Sequence, residues 1–213
     1  MKALLAALAL ALLVLQPEPG ESPREIKDGI LDWAQVNVAE IAPDAVIVVH
    51  TFDASEADLG TGSKGGKEKH VESAQTMQKE APPLLAAELV KAIRMEGPFE
   101  QVASASEAAV PENALIIEGK FTTIDPGSRA KRYWAGFGAG KGSWVIRGTI
   151  KDTSGNLLAE FEQKRITVVG VFGGNPIKKL RADCERLGDD LASFLNAWAT
   201  GKNLKTGKLS KEK

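Results

Sequence analysis

The residues most able to do chemistry sit in Gly136-Phe137-Gly138-Ala139-Gly140-Lys141-Gly142-Ser143. Glycine-freed amides can cradle an anion, and Lys141 would add a positive charge. The spacing is wrong for a nucleotide loop. A Walker motif needs a glycine where Ala135 stands and a Ser or Thr where Gly142 stands. A dinucleotide fingerprint needs a helix after the glycines, whereas Trp144-Val145-Ile146 continues as an alternating strand. The loop reads instead as a crossing between two strands or a partner-docking segment. Arg129, Lys131, Arg132, Lys141 and Arg147 surround it, interleaved with Tyr133, Trp134, Phe137 and Trp144. Such a basic and aromatic patch suits an anionic glycan, a headgroup or a protein. The candidate interaction surface is therefore Arg129, Arg132, Trp134, Gly136, Phe137, Gly138, Gly140 and Lys141.

The remaining inventory argues against catalysis. The chain has two histidines, His50 and His70, and one cysteine, Cys184. That excludes an intramolecular disulfide and a cysteine-rich zinc module. His50 and Asp53 end a strong strand, where a dyad could form, but no nucleophile accompanies them. Gly62-Ser63-Lys64-Gly65 is one residue short of a nucleophile elbow. Glu160 and Glu162 share one exposed strand face rather than an apolar pocket. No catalytic residue, no cofactor and no metal is expected, and the chain is not expected to be an enzyme.

Elements that position these residues follow from periodicity. A short helix is expected over 26–33, with Ile26, Ile30 and Trp33 on one side. Residues 45–52 form an apolar run fit for a sheet centre. Residues 71–80 are expected to begin a helix, and Pro82-Pro83 fit the first turn of a stronger one running to Met95 and stopped by Gly97-Pro98. A strand is expected over 99–103 and a longer one over 115–125. Residues 143–152 alternate, Trp144, Ile146, Gly148 and Ile150 opposing Val145, Arg147, Thr149 and Lys151. Asp152-Thr153-Ser154-Gly155-Asn156 makes a hairpin turn to a partner strand over 157–169. Asn175 caps a final helix, Pro176 opens it, and Ile177, Leu180, Cys184, Leu187, Leu191, Phe194, Leu195 and Trp198 line one stripe. On that stripe Cys184 is an inert core thiol. The order predicts an α+β fold, a two-layer sandwich with a mostly antiparallel sheet and two main helices on one face.

Composition bounds the rest. With 213 residues, 43% hydrophobic and 26% charged, the chain suits one domain with a real core. A net charge of −1 argues against a dedicated nucleic-acid binder, which needs a broad basic face. Met1-Lys2 precedes an unbroken apolar run over 3–15, the pattern of a secretory signal peptide. As a helix that run spans roughly 20 Å, short of the ~30 Å hydrocarbon core. Residues 1–20 are thus expected as a signal peptide and 21–200 as a single domain. Residues 201–213, with five lysines and one glutamate, are expected as a basic disordered tail.

From Glu118-Gly119-Lys120-Phe121 through Asp125-Pro126-Gly127-Ser128-Arg129 to Gly136-Phe137-Gly138-Ala139-Gly140-Lys141, the chain resembles the bacterial family called domain of unknown function 4410. The likeness runs from about Val46 to Trp198 and continues through Asp152, Gly155 and the final strand. It implies exported envelope proteins, many of them lipoproteins, with an α+β sandwich akin to small domains of outer-membrane assembly and secretion lipoproteins. It implies no activity and carries over no catalytic residue. This chain lacks a lipidation cysteine after its apolar run, so a periplasmic or secreted address is expected without a lipid anchor. The expected role is a non-enzymatic module binding an envelope protein or cell-wall component, with self-association and peripheral membrane contact as further options. The alternative is a binder of a small anionic ligand or glycan through Gly136–Gly142 and its basic neighbours.

Overall fold

A computed structural model describes residues 22–60, 68–105, 110–127, 142–167 and 176–208. Among the described residues, seven strands and two helices follow in chain order: β1 (Arg24–Lys27), β2 (Trp33–Val36), β3 (Val46–Val49), α1 (Glu68–Glu96), β4 (Val102–Ser104), β5 (Ala114–Asp125), β6 (Gly142–Asp152), β7 (Leu157–Thr167) and α2 (Pro176–Ala199). They make one mixed sheet in the order β1-β2-β7-β6-β5-β3-β4. The pairings from β1 to β5 are antiparallel, while β3 lies parallel to both β5 and β4. The class is α+β.

The long central hairpin follows the alternation in its sequence. Ile117, Phe121, Ile146, Ile150, Ala159 and Phe161 all turn to one face and are buried. They join Leu85, Leu89 and Ile93 of α1 and Leu180, Leu191, Phe194 and Trp198 of α2 in a single core. Gly188 lets the two helices approach closely, since a Cβ there would sit 3.0 Å from the Glu88 carbonyl oxygen. Residues of the opposite parity, including Glu118, Lys120, Arg147, Thr149, Glu160 and Glu162, emerge on the other face, none of them buried. A glutamine marks the inner face at the end of β7. Gln163 is buried, accepts the Asp32 N–H at 2.7 Å and donates to Asp190 at 2.7 Å, tying β2 and β7 to α2.

Three local expectations are corrected. Residues 26–33 form no helix but the β1–β2 hairpin, turned at Asp28, whose φ of 51° is left-handed. The three- and four-residue spacing of Ile26, Ile30 and Trp33 suits a helix, yet Asp28-Gly29 is a hairpin signal. Ile26 then faces the core and Trp33 the opposite side.

Pro82 and Pro83 lie inside α1 rather than at its start. They supply no N–H, so the carbonyls of Gln78 and Lys79 lose their helical donors. The buried line Ala74, Met77, Ala81, Leu85, Leu89 and Ile93 nevertheless runs unbroken across them, and burial overrides the break. The Gln78 side chain further pins the helix by donating to the carbonyls of Ala54 and Ser55.

Residues 201–208, expected within a disordered tail, are folded. Gly201, at φ 63°, ends α2 with the Lys202 N–H bonded to the Ala197 carbonyl at 2.8 Å. Leu204 is buried, and the Asn203 side chain accepts the N–H groups of Lys205 and Thr206. The lysine count is right, but Leu204 supplies an apolar anchor that docks the turn beside Gly29. Among the described residues no helix is long and apolar enough to cross a membrane.

Candidate functional site

The sheet face turned away from the core carries a groove of about 980 Å³. Its middle lies over Gly119 and Gly148, which pair directly across β5 and β6. Both residues point their missing side chains at the core, so the open side of the sheet between them is bare backbone. A Cβ on Gly119 would lie 2.5 Å from the Phe52 ring, and one on Gly148 would lie 2.4 Å from the Phe161 ring. Two aromatic rings therefore occupy the core side of the glycine pair, their centroids 6.4 Å apart. The glycines are required by these rings, and the groove floor follows from the inward parity of their positions.

Two rows of side chains wall this floor. On one side Glu118, Thr149, Glu160 and Gln35 lie in cross-strand register. On the other, Lys120, Arg147, Glu162 and Trp33 do the same, with Asp53 bridged to Lys120 beyond β5. The first row carries only acids and neutral groups, and the second carries the cations. Neighbouring rows stand about 7 Å apart, two residues along a strand.

Most of the charges are tied down. Arg147 donates to Glu162 at 2.5 Å. Lys151 donates to Glu118, which also accepts the Thr149 hydroxyl at 3.4 Å. The Lys151 bond holds the Glu118 carboxyl below the usual glutamate range, against the opposing effect of burial. Asp53 is held low by Ser55, whose N–H and hydroxyl each donate to it at 2.9 Å. Trp33 donates its indole N–H to Glu25 at 2.9 Å. Carboxylates kept ionised in this way cannot serve as general acids near neutral pH. Lys120, beside the bridged Asp53, adds an electrostatic pull that helps to hold that carboxyl low.

His50 and Asp53, read from the sequence as an unaccompanied dyad, both line this groove. Asp53 is engaged by Ser55 rather than by His50. Glu160 and Glu162 share the exposed face that the alternation predicts. The sequence-selected surface, Arg129, Arg132, Trp134, Gly136, Phe137, Gly138, Gly140 and Lys141, lies outside the described residues. Only Arg147, from the same basic cluster, is placed, and it stands at the centre of the groove. Sequence reasoning missed Trp33, Glu118, Lys120 and Thr149 as site residues. The outward parity of β5 and β6 is the signal for the last three; Trp33 has none until the β1–β2 hairpin is recognised. Among the described residues no group of three or more His, Cys, Asp or Glu side chains is placed to hold a metal.

The profile of the family described as a domain of unknown function, DUF4410, matches residues 47–171. The chain belongs to the DUF4410 family. The matched span includes the acidic and basic residues of the groove contributed by β5, β6 and β7, and leaves Trp33 and α2 outside it. Among solved structures, the PelC dodecamer from Paraburkholderia phytofirmans is similar at a TM-score of 0.42 and 11% identity, covering 79% of this DUF4410 chain and 96% of PelC. A variant PelC dodecamer from the same organism gives a TM-score of 0.37 at 13% identity, covering 78% and 96%. No curated protein matches the chain.

Proposed function

We propose that this DUF4410 protein is an exported, non-enzymatic module of the cell envelope that binds a protein or cell-wall partner through the open face of its sheet. In this reading α1 and α2 form one layer over the inner face, a two-layer sandwich, and leave the opposite face to the partner. The observation that carries the reading is the groove itself: a bare-backbone floor over Gly119 and Gly148 between rows of charged side chains. Fixed charges on a rigid sheet favour recognition over proton transfer, because they lose little freedom on binding. Export rests on the apolar run over 3–15.

The test has two arms in the native host. Fractionation with mass spectrometry of the N-terminus reads the address. A photoreactive amino acid at Arg147 or Lys120 reads the face, with Glu185 on the helical side as control. Adducts from the groove positions in a periplasmic or secreted fraction support the reading. A cytoplasmic product, or adducts from Glu185 alone, overturns it.

A further inference from the structure

We infer that two copies of this protein join edge to edge through β1, antiparallel about a two-fold axis at Ile26, into one continuous sheet. The occupant of that edge is a second copy of the chain, whatever partner the open face binds.

The backbone of this edge is aimed outward. β1 stands at the end of the strand order and pairs with β2 on its inner side. The Asp28 N–H bonds to the Asp32 carbonyl, and the Asn37 N–H, past the end of β2, bonds to the Leu158 carbonyl of β7. Hydrogen-bonding positions alternate along an antiparallel pair. Arg24 and Ile26 therefore turn their backbone groups toward β2, and Glu25 and Lys27 turn theirs away from the sheet. Arg24, Glu25, Lys27 and Asp28 are all exposed, which leaves the edge accessible.

Charges on an edge strand ordinarily keep like edges apart. Those of β1 do the reverse, because Arg24-Glu25-Ile26-Lys27-Asp28 is complementary to its own reversal. In a pairing centred on Ile26, Glu25 lies opposite Lys27 of the second copy and Arg24 opposite its Asp28. Glu25 and Lys27 are the outward-bonding residues, so each such pair exchanges both of its backbone hydrogen bonds. Ile26, buried on the core side, meets its own copy and continues the core across the join. Neighbouring centres fail. A centre at Glu25 sets two glutamates face to face and puts Lys27 against Pro23, which has no N–H; a centre at Lys27 sets two lysines face to face. Within one copy Lys27 already pairs with Glu25 at 3.0 Å, and Trp33 donates to the same carboxylate. The second copy brings another lysine beside that carboxylate, so the ion pair becomes half of an alternating cluster and no bond is given up.

An isologous join of this kind puts both helix layers on one side and both open faces on the other. Gln35 pairs with Glu25, and Trp33 with Lys27. The row Glu118, Thr149, Glu160 and Gln35 of one groove therefore runs through Glu25 into Lys27 and Trp33 of the second copy. Two grooves become one two-fold surface.

Sedimentation velocity over a range of concentrations, on the protein purified from its host, tests this. A monomer–dimer equilibrium is expected, weakened by added salt. Glu25→Lys and Lys27→Glu each leave one sign of charge at both positions, and each should weaken dimerisation about tenfold. An equimolar mixture of the two variants should pair again, because the positive edge of one then faces the negative edge of the other. The double variant, with the signs exchanged, should self-associate as the wild type does. Both positions are exposed, and an unchanged melting temperature confirms that each variant folds. A protein that stays monomeric at every concentration, a dimer indifferent to both single variants, or single variants that stay apart when mixed overturns the inference. Crosslinking from the open face is a separate readout, so a missing dimer leaves the open-face reading standing.

Discussion

Gly119 and Gly148 face each other across β5 and β6, and the rings of Phe52 and Phe161 lie where their side chains would be. The pair links core to surface. Glycines on the inner side admit two large rings, and the same stretch of backbone forms the groove floor on the outer side.

Gly148→Ala would place a methyl group 2.4 Å from the Phe161 ring and 2.8 Å from the Glu118 carbonyl oxygen. Gly119→Ala meets the Arg147 carbonyl oxygen and the Phe52 ring, each at 2.5 Å. Each substitution should cost about 1–3 kcal/mol in urea unfolding, the usual range for overpacking. Gly155 is a useful contrast: its φ is 84° but nothing lies within 4 Å. Gly155→Ala should lose only the left-handed backbone cost, about 1–2 kcal/mol, without disturbing the near-ultraviolet signal of the aromatic core.

Gln163 should prove structural. Its carboxamide joins the Asp32 N–H to the Asp190 carboxylate, which also accepts from Arg165. Gln163→Leu removes both bonds, and although Asp32 is exposed and Asp190 partly so, the loss of two hydrogen bonds should cost about 1–3 kcal/mol. Chemical unfolding of the variant beside wild type measures it, and an unchanged midpoint would show that water replaces the amide fully.

Cys184 is buried on α2, and burial pushes its thiol up to about 12. The thiolate is the reactive species, so the native protein should resist an aromatic disulfide reagent at pH 8. Labelling should appear only on unfolding, with one thiol per chain. Rapid stoichiometric labelling of the folded protein would contradict the packing of α2.

Asp189 has its carboxyl raised, by burial first and then by the carboxylates of Glu96 and Glu185. The folded chain thus holds this proton to higher pH than the unfolded chain does. Stability is therefore lost as pH rises from the ordinary aspartate range through the folded value, and regained on acidification. Asp189→Asn should raise the melting temperature at pH 7. Below the ordinary aspartate range the two proteins should melt alike, and thermal scans across pH would show it.

Elements whose pattern is local are legible along the chain. The alternation of Trp144, Ile146, Gly148 and Ile150, the Asp152–Asn156 turn and the stripe of α2 appear in the structure because period and burial agree there. Outward parity also placed Arg147, Glu160 and Glu162 on one face. Where spacing served two structures, as at Ile26, Ile30 and Trp33, only pairing of β2 with β7 decided for strand. Burial likewise carried α1 through Pro82 and Pro83, and Leu204 drew the start of the tail onto the body. The groove could not be read along the chain at all. Its walls come from β2, β5, β6, β7 and the segment after β3, brought side by side by cross-strand register. Which charges are paired is a property of that register, because hydrogen bonds between residues far apart in sequence exist only once the sheet is formed.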